Sequence, residues 1–213
     1  MFVLGKKPSV VAHSGCMGYP DDGLEFMKAG HTAGADGFEI DINITADHVI
    51  VLSHDSLIPD DQNKMLDISE ISFKELRERK RKIVTFEEAI AEAKKYDAFM
   101  NVDIKDKSAL KYAIDTMSRN GFIDRAYFTG IYYETLEKYL GENPGLITCV
   151  NIMTDANAEE EKVMEYILNC SKLGVLGINM EWICLRRIYR AGRKIYRRLF
   201  PGDYIQTIRI CNN

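Results

Sequence analysis

The chain contains no Cys-x-x-Cys pair. Its five cysteines, Cys16, Cys149, Cys170, Cys184 and Cys211, stand far apart and are odd in number. That pattern supports neither a disulfide framework nor a thiolate zinc site, and reduced thiols in a cytoplasmic protein are expected. No apolar run reaches the roughly 20 residues that a membrane helix needs. Lys6, Lys7 and Pro8 interrupt the apolar start, so a signal-peptide core is not expected either. There is no excess of basic charge: the formal net charge is −4, which gives no electrostatic basis for binding nucleic acid. Internal repeats, low-complexity tracts and linkers are also missing. At 213 residues the chain is therefore read as one domain, 1–213, with a substantial core.

What is present is a regular alternation. Short apolar segments suited to strands lie at Ser9–Ala12, Gly37–Ile42, Ala98–Ile104, Arg125–Thr129, Leu146–Val150 and Gly174–Ile178. Helical patterns lie between and after them, at Asp22–Ala33, Thr85–Tyr96, Ser108–Asn120, Tyr132–Leu140, Ala158–Cys170 and Ile183–Ala191. Gly121 is placed to cap the third helix, and the acidic trio Glu159–Glu161 suits the first turn of the fifth. Strand–helix–strand units with short loops predict a parallel sheet with right-handed crossovers. Without a dinucleotide-binding glycine fingerprint, the pattern favours an α/β protein of the TIM (β/α) barrel class over a Rossmann sheet. Ile42–Leu52 departs from the rhythm. Two apolar runs joined by a few turn-forming residues predict an antiparallel hairpin, which would return His54 towards the mouth of the barrel.

The chemistry-bearing residues sit at strand ends. Phe38-Glu39-Ile40-Asp41-Ile42 alternates apolar and acidic residues, so Glu39 and Asp41 point to the same side of a strand. Like charges this close repel, and a hard divalent cation, Mg²⁺ or Ca²⁺, is the natural counterion for carboxylate oxygens. The plainer alternative is a half-exposed strand with a solvated acidic face. Asn101-Val102-Asp103-Ile104-Lys105 repeats the i, i+2 arrangement. If its strand is a parallel neighbour of the first, Asp103 completes a three-carboxylate cluster and Lys105 lies ready for a phosphate oxygen. The alternative there is a strand-end ion pair of little energetic weight. His13 and His54 are candidates for proton transfer. His31 and His48 fall in a helix and a turn, where surface or packing roles are expected. Trp182 is read as packing or pocket lining. The basic run from Arg186 to Arg198 is read as a solvated helix face.

These motifs resemble the glycerophosphodiester phosphodiesterase family. The likeness is carried by His13-Ser14-Gly15, Leu24-Glu25-Phe26, the block Gly34 to Asp41 (Gly-Ala-Asp-Gly-Phe-Glu-Ile-Asp), Thr45-Ala46-Asp47, His54-Asp55 and Asp103-Ile104-Lys105. It is specific over residues 9–105 and architectural from there to 196. The resemblance implies a metal-dependent TIM barrel that hydrolyses glycerophosphodiesters to glycerol 3-phosphate and an alcohol. It implies His13 and His54 as general acid and base, Glu39, Asp41 and Asp103 as ligands of Mg²⁺ or Ca²⁺, and Lys105 as the phosphate contact. The implied partner is a small-molecule glycerophosphodiester, with no nucleic acid and no membrane span.

The chain departs from the family pattern at several places. Ser14 stands where the family has arginine, Pro20-Asp21-Asp22-Gly23 where it has Pro-Glu-Asn-Thr, and Asp103 where glutamate is common. Asp103-Ile104-Lys105 is closer to the sphingomyelinase D-type phospholipases, which share the barrel and give the second reading of function. The family's Trp-Thr-Val-Asn and Thr-Asp strands have no match after Tyr196. Residues 197–213 are therefore expected to form an atypical or incomplete barrel end, with Tyr204–Ile210 as a substitute strand. A catalytically impaired relic that keeps ligand binding is the competing expectation.

Overall fold

A computed structural model describes residues 9–144, 146–151 and 160–179. They belong to two compact units, Ser9–Ala126 and the described residues from Tyr127 onward. Several expectations lie outside the described residues: the helix at Ile183–Ala191, Trp182, the basic run, and the atypical end at 197–213 with its substitute strand. Among the described residues, no helix is long and apolar enough to cross a membrane.

The first unit is organised by β2 (Gly37–Ile44), which is buried along its whole length. Its left neighbour is β1 (Val11–Ala12), parallel to it, and the antiparallel β3 (Ile50–Leu52) pairs with its C-terminal half. Parallel pairing with β6 (Phe99–Ile104) runs in the register Glu39 to Asn101 and Asp41 to Asp103. Period-two alternation explains why β2 is buried on both sides. Phe38, Ile40 and Ile42 turn towards the helices. Phe38 meets Phe26 of α1 (Glu25–Thr32) edge-on at 6.1 Å and Tyr96 at 5.8 Å. Glu39, Asp41 and Asn43 occupy the other side and are buried as well, which excludes the solvated acidic face.

The helices carry their own start signals. Thr85 and Glu88 form a reciprocal capping box that opens α3 (Phe86–Lys95). α4 (Ala109–Arg119) closes at Gly121, whose φ of +61° is the left-handed conformation expected of a C-terminal cap. The Ile42–Leu52 hairpin forms as predicted, with Ile42 opposite Leu52 and Ile44 opposite Ile50. Both remaining histidines stack on tyrosines: His31 on Tyr96 at 4.8 Å, and His48 on Tyr112 at 4.7 Å.

Two expectations need correction here. The first helix begins at Glu25 rather than Asp22, because Pro20–Gly23 closes a turn through the Gly23 N–H and the Pro20 carbonyl. The loops are not all short either. Residues 53–84 form a small structure of their own, with a β4 (Leu57–Pro59) and β5 (Met65–Asp67) hairpin followed by α2 (Phe73–Arg79). Ile58, Leu66, Ile68, Leu76 and Ile83 make its core together with Val51. Arg79 pairs with the buried Asp60 at 3.0 Å and helps fix the hairpin.

The second unit continues the alternation, with β7 (Ala126–Thr129) at the junction. It then runs through α5 (Tyr133–Glu142), β8 (Cys149–Asn151), α6 (Glu160–Lys172) and β9 (Gly177–Asn179). β8 and β9 pair in parallel, both starting three residues later than the sequence suggests. The fully buried Thr148 hydroxyl donates to the Phe128 carbonyl, which explains a polar residue just before β8. Cys16, Cys149 and Cys170 are buried free thiols.

Candidate active site

Glu39 and Asp41 of β2 converge with Asp103 of β6. Each offers a carboxylate oxygen, and these oxygens all lie within 4.8 Å of one another. The cause is register: Asp41 sits directly opposite Asp103, and Glu39 lies two residues earlier on the same side of β2. At 7% and 5% exposure, the Glu39 and Asp41 carboxyls sit in a nearly dry environment. Burial, reinforced by the neighbouring Asp41 charge, pushes the Glu39 carboxyl up to about 8.

A side-chain cation already lies among these acids. The Lys105 ammonium is 2.9 Å from Asp41 Oδ1 and 2.6 Å from Asp103 Oδ2. Burial alone would lower its affinity for the proton, but the bonds and charges of the two aspartates outweigh this and raise it. Lys107 lies close by and donates to the Ile104 carbonyl at 2.6 Å, with its ammonium shifted downward by burial. The donor set therefore suits a hard divalent cation: three carboxylates, all oxygen, around a point where positive charge is already stabilised.

His13 follows β1 directly. Its Nε2 is 3.5 Å from Glu39 Oε2, and its Nδ1 is 2.7 Å from the Ser14 carbonyl oxygen. A carbonyl only accepts, so Nδ1 carries the proton and Nε2 is the nitrogen that can take up or deliver one. His54 follows β3. The Ser53 N–H donates to the Asp41 carbonyl at 3.1 Å, which ties the start of this loop to the acidic strand. The His54 side chain itself is 59% exposed and pairs with Asp55 at 2.8 Å. The structure thus groups Glu39, Asp41, Asp103, Lys105 and His13 by direct contact, and places His54 one residue beyond a backbone bond to Asp41.

Sequence reasoning missed the part played by Ser14. Its backbone N–H donates to Glu39 Oε2 at 3.1 Å, and its hydroxyl donates to Asp41 Oδ2 at 3.1 Å. The available signal was the serine at this position, where the family has arginine.

The sequence profile of the glycerophosphoryl diester phosphodiesterase family matches residues 13–212. The chain belongs to this family. Its members are phosphoric diester hydrolases. A crystal structure of a glycerophosphodiester phosphodiesterase from Thermotoga maritima superposes with a TM-score of 0.76 at 17% identity. That match covers 99% of this chain and 88% of the other. Another from Parabacteroides distasonis gives a TM-score of 0.69 at 19% identity, covering 94% and 84%. These likenesses show the fold, a TIM (β/α) barrel. No curated protein matches the chain in sequence.

Proposed function

We propose that this protein hydrolyses glycerophosphodiesters to glycerol 3-phosphate and an alcohol, with Mg²⁺ or Ca²⁺ held by Glu39, Asp41 and Asp103. The observation that carries this reading is the convergence of three carboxylates on one point together with Lys105. A divalent ion there supplies positive charge for the phosphate oxygens, where negative charge builds up during displacement. Lys105 belongs to the same task. Once released from Asp41 and Asp103, its ammonium is placed for a phosphate oxygen of the substrate.

The remaining steps are proton transfers by this chain's own imidazoles. The glycerol 2-hydroxyl lies next to the phosphorus, and its attack is intramolecular, with a correspondingly large effective molarity. As its oxygen bonds to phosphorus, its proton passes to one histidine, and the bond from phosphorus to the alcohol oxygen breaks. The other histidine protonates the departing alkoxide. Water then opens the cyclic phosphate with the two histidines in reversed roles, leaving glycerol 3-phosphate. His13 Nε2, beside Glu39, fills one role and His54 the other. We place the protein in the cytoplasm as a single-domain enzyme, a reading supported by the buried free thiols.

The test is direct. Purified protein is incubated with glycerophosphocholine and either Mg²⁺ or Ca²⁺, and glycerol 3-phosphate and choline are measured. Equal release of both products, abolished by chelator, is expected. Absence of turnover with either ion across several headgroups would overturn the reading.

A further inference from the structure

A carboxylate cluster binds an ion well when its oxygens are held in place beforehand, because the repulsion and ordering are then met during folding rather than on binding. Lys105 does not do this for the ion-bound state. It occupies Asp41 Oδ1 and Asp103 Oδ2 itself and must yield at least part of that space to an incoming cation. Ser14 takes the other oxygen of Asp41, Oδ2, so its bond is compatible with an ion at Oδ1.

The position of Ser14 is fixed on every side. It is 4% exposed and directly follows His13 at the end of β1. The turn that holds it closes through the Cys16 N–H and the His13 carbonyl at 3.0 Å, and Cys16 is itself buried. Gly15 passes through this turn at φ +71°, against the Asp21 carboxylate. One residue thus donates twice, from its backbone to Glu39 and from its side chain to Asp41. Both donors are neutral, so they steady the two acids without adding positive charge that would compete with an ion. An aliphatic residue at this position would keep the first bond and lose the second.

We infer that Ser14 is a positioning residue for the cation site: its hydroxyl orients Asp41 while its backbone orients Glu39. This rests on the phosphodiesterase reading above, and it acts through the ligands rather than on the substrate. The experiment uses Mn²⁺ alone as the probe, titrated into full-length protein without substrate. Wild type is compared with Ser14→Ala, Ser14→Cys and Ser14→Thr, and melting of the cation-free proteins serves as the check of folding. Loss of a hydrogen bond to a charged group should weaken Mn²⁺ binding about tenfold in Ser14→Ala. Ser14→Cys, close to serine in size but a poor donor, should lose a similar amount and decides the matter if the alanine variant does not fold. Ser14→Thr restores the hydroxyl and should bind within about threefold of wild type. If wild type binds Mn²⁺ and the alanine or cysteine variant binds it equally well, Ser14 has no positioning role. The same conclusion follows if threonine loses as much as alanine. If wild type fails to bind Mn²⁺, the cation reading itself is overturned, a result distinct from either of these.

Discussion

Asp41 and Asp103 face each other across the parallel β2–β6 pair, and the Lys105 ammonium bridges them at 2.9 and 2.6 Å. The bridge offsets the repulsion between two acids, one of them almost wholly buried. Under the proposed reading Lys105 would serve two states: counterion in the cation-free protein and phosphate contact in the working one. Lys105→Ala should therefore lower the melting temperature of the cation-free protein, because removing one partner of a buried charge cluster leaves the others uncompensated. The loss expected is about 2–3 kcal/mol, given that Lys105 remains partly solvated. Saturating Mg²⁺ should recover most of the melting temperature but not the turnover. Melting curves with and without the ion, beside kcat, separate the two functions; a variant that keeps wild-type kcat would remove Lys105 from the phosphate contact.

The Glu39 carboxyl gives a pH dependence with a definite sign. Its folded value, about 8, lies above the ordinary 4.5, so the folded state holds a proton that the unfolded chain has already released. The stability it contributes is full below pH 4.5 and is lost progressively as pH rises towards 8. Other groups being equal, the cation-free protein should melt at lower temperature as pH rises through this window, and Glu39→Gln should flatten that dependence. A divalent ion needs the ionised carboxylate, so its binding should release protons below pH 8 and tighten as pH rises. Calorimetric titration of Mg²⁺ in buffers of different ionisation heat measures the protons released. No release at pH 7 would mean that Glu39 is already ionised in the cation-free protein.

Replacing either histidine should cut turnover while sparing the cation site. His13→Ala and His54→Ala are each expected to lower kcat by about 10²–10⁴-fold, the usual contribution of general acid–base catalysis. Mn²⁺ affinity should stay within a few-fold of wild type. His54 provides the sharper test, since its exposed ring pairs with Asp55 rather than with the acidic cluster. Wild-type kcat in His54→Ala would reassign its role.

The acidic strands were legible because their signal is local. Phe38 to Ile42 and Asn101 to Lys105 each announce a strand with alternating polar residues on one side, and the parallel register then brings them together. The Ile42–Leu52 hairpin was legible for the same reason, since its turn residues interrupt two adjacent apolar runs. Residues 53–84 were not. Their strands are three residues long, and the core residues Ile58, Leu66, Ile68, Leu76 and Ile83 follow neither a helical nor a strand period. Ser14 was missed for a different reason: its partners lie 25 and 27 residues away, and only the folded register reveals them.

The turn after His13 offers the last prediction. Gly15 has φ +71°, and a Cβ built there falls 1.7 Å from Asp21 Oδ1. Two costs therefore meet in Gly15→Ala. The left-handed backbone costs a residue with a Cβ roughly 1–2 kcal/mol, and the Asp21 carboxylate must also move. The pair can be separated. Asp21→Ala, added to Gly15→Ala, removes the clash but not the backbone cost, so part of the lost stability should return and the remainder should be about 1 kcal/mol. Because His13 and Ser14 precede this glycine, any shift of the turn displaces an imidazole and two carboxylate donors at once. Gly15→Ala should thus lower both kcat and Mn²⁺ affinity, with partial recovery of each in the double variant. Melting temperature, Mn²⁺ titration and kcat for the four proteins of this cycle give the answer. If stability falls in Gly15→Ala while both functional measures stay at wild-type levels, the turn holds the fold together without setting the geometry of the site.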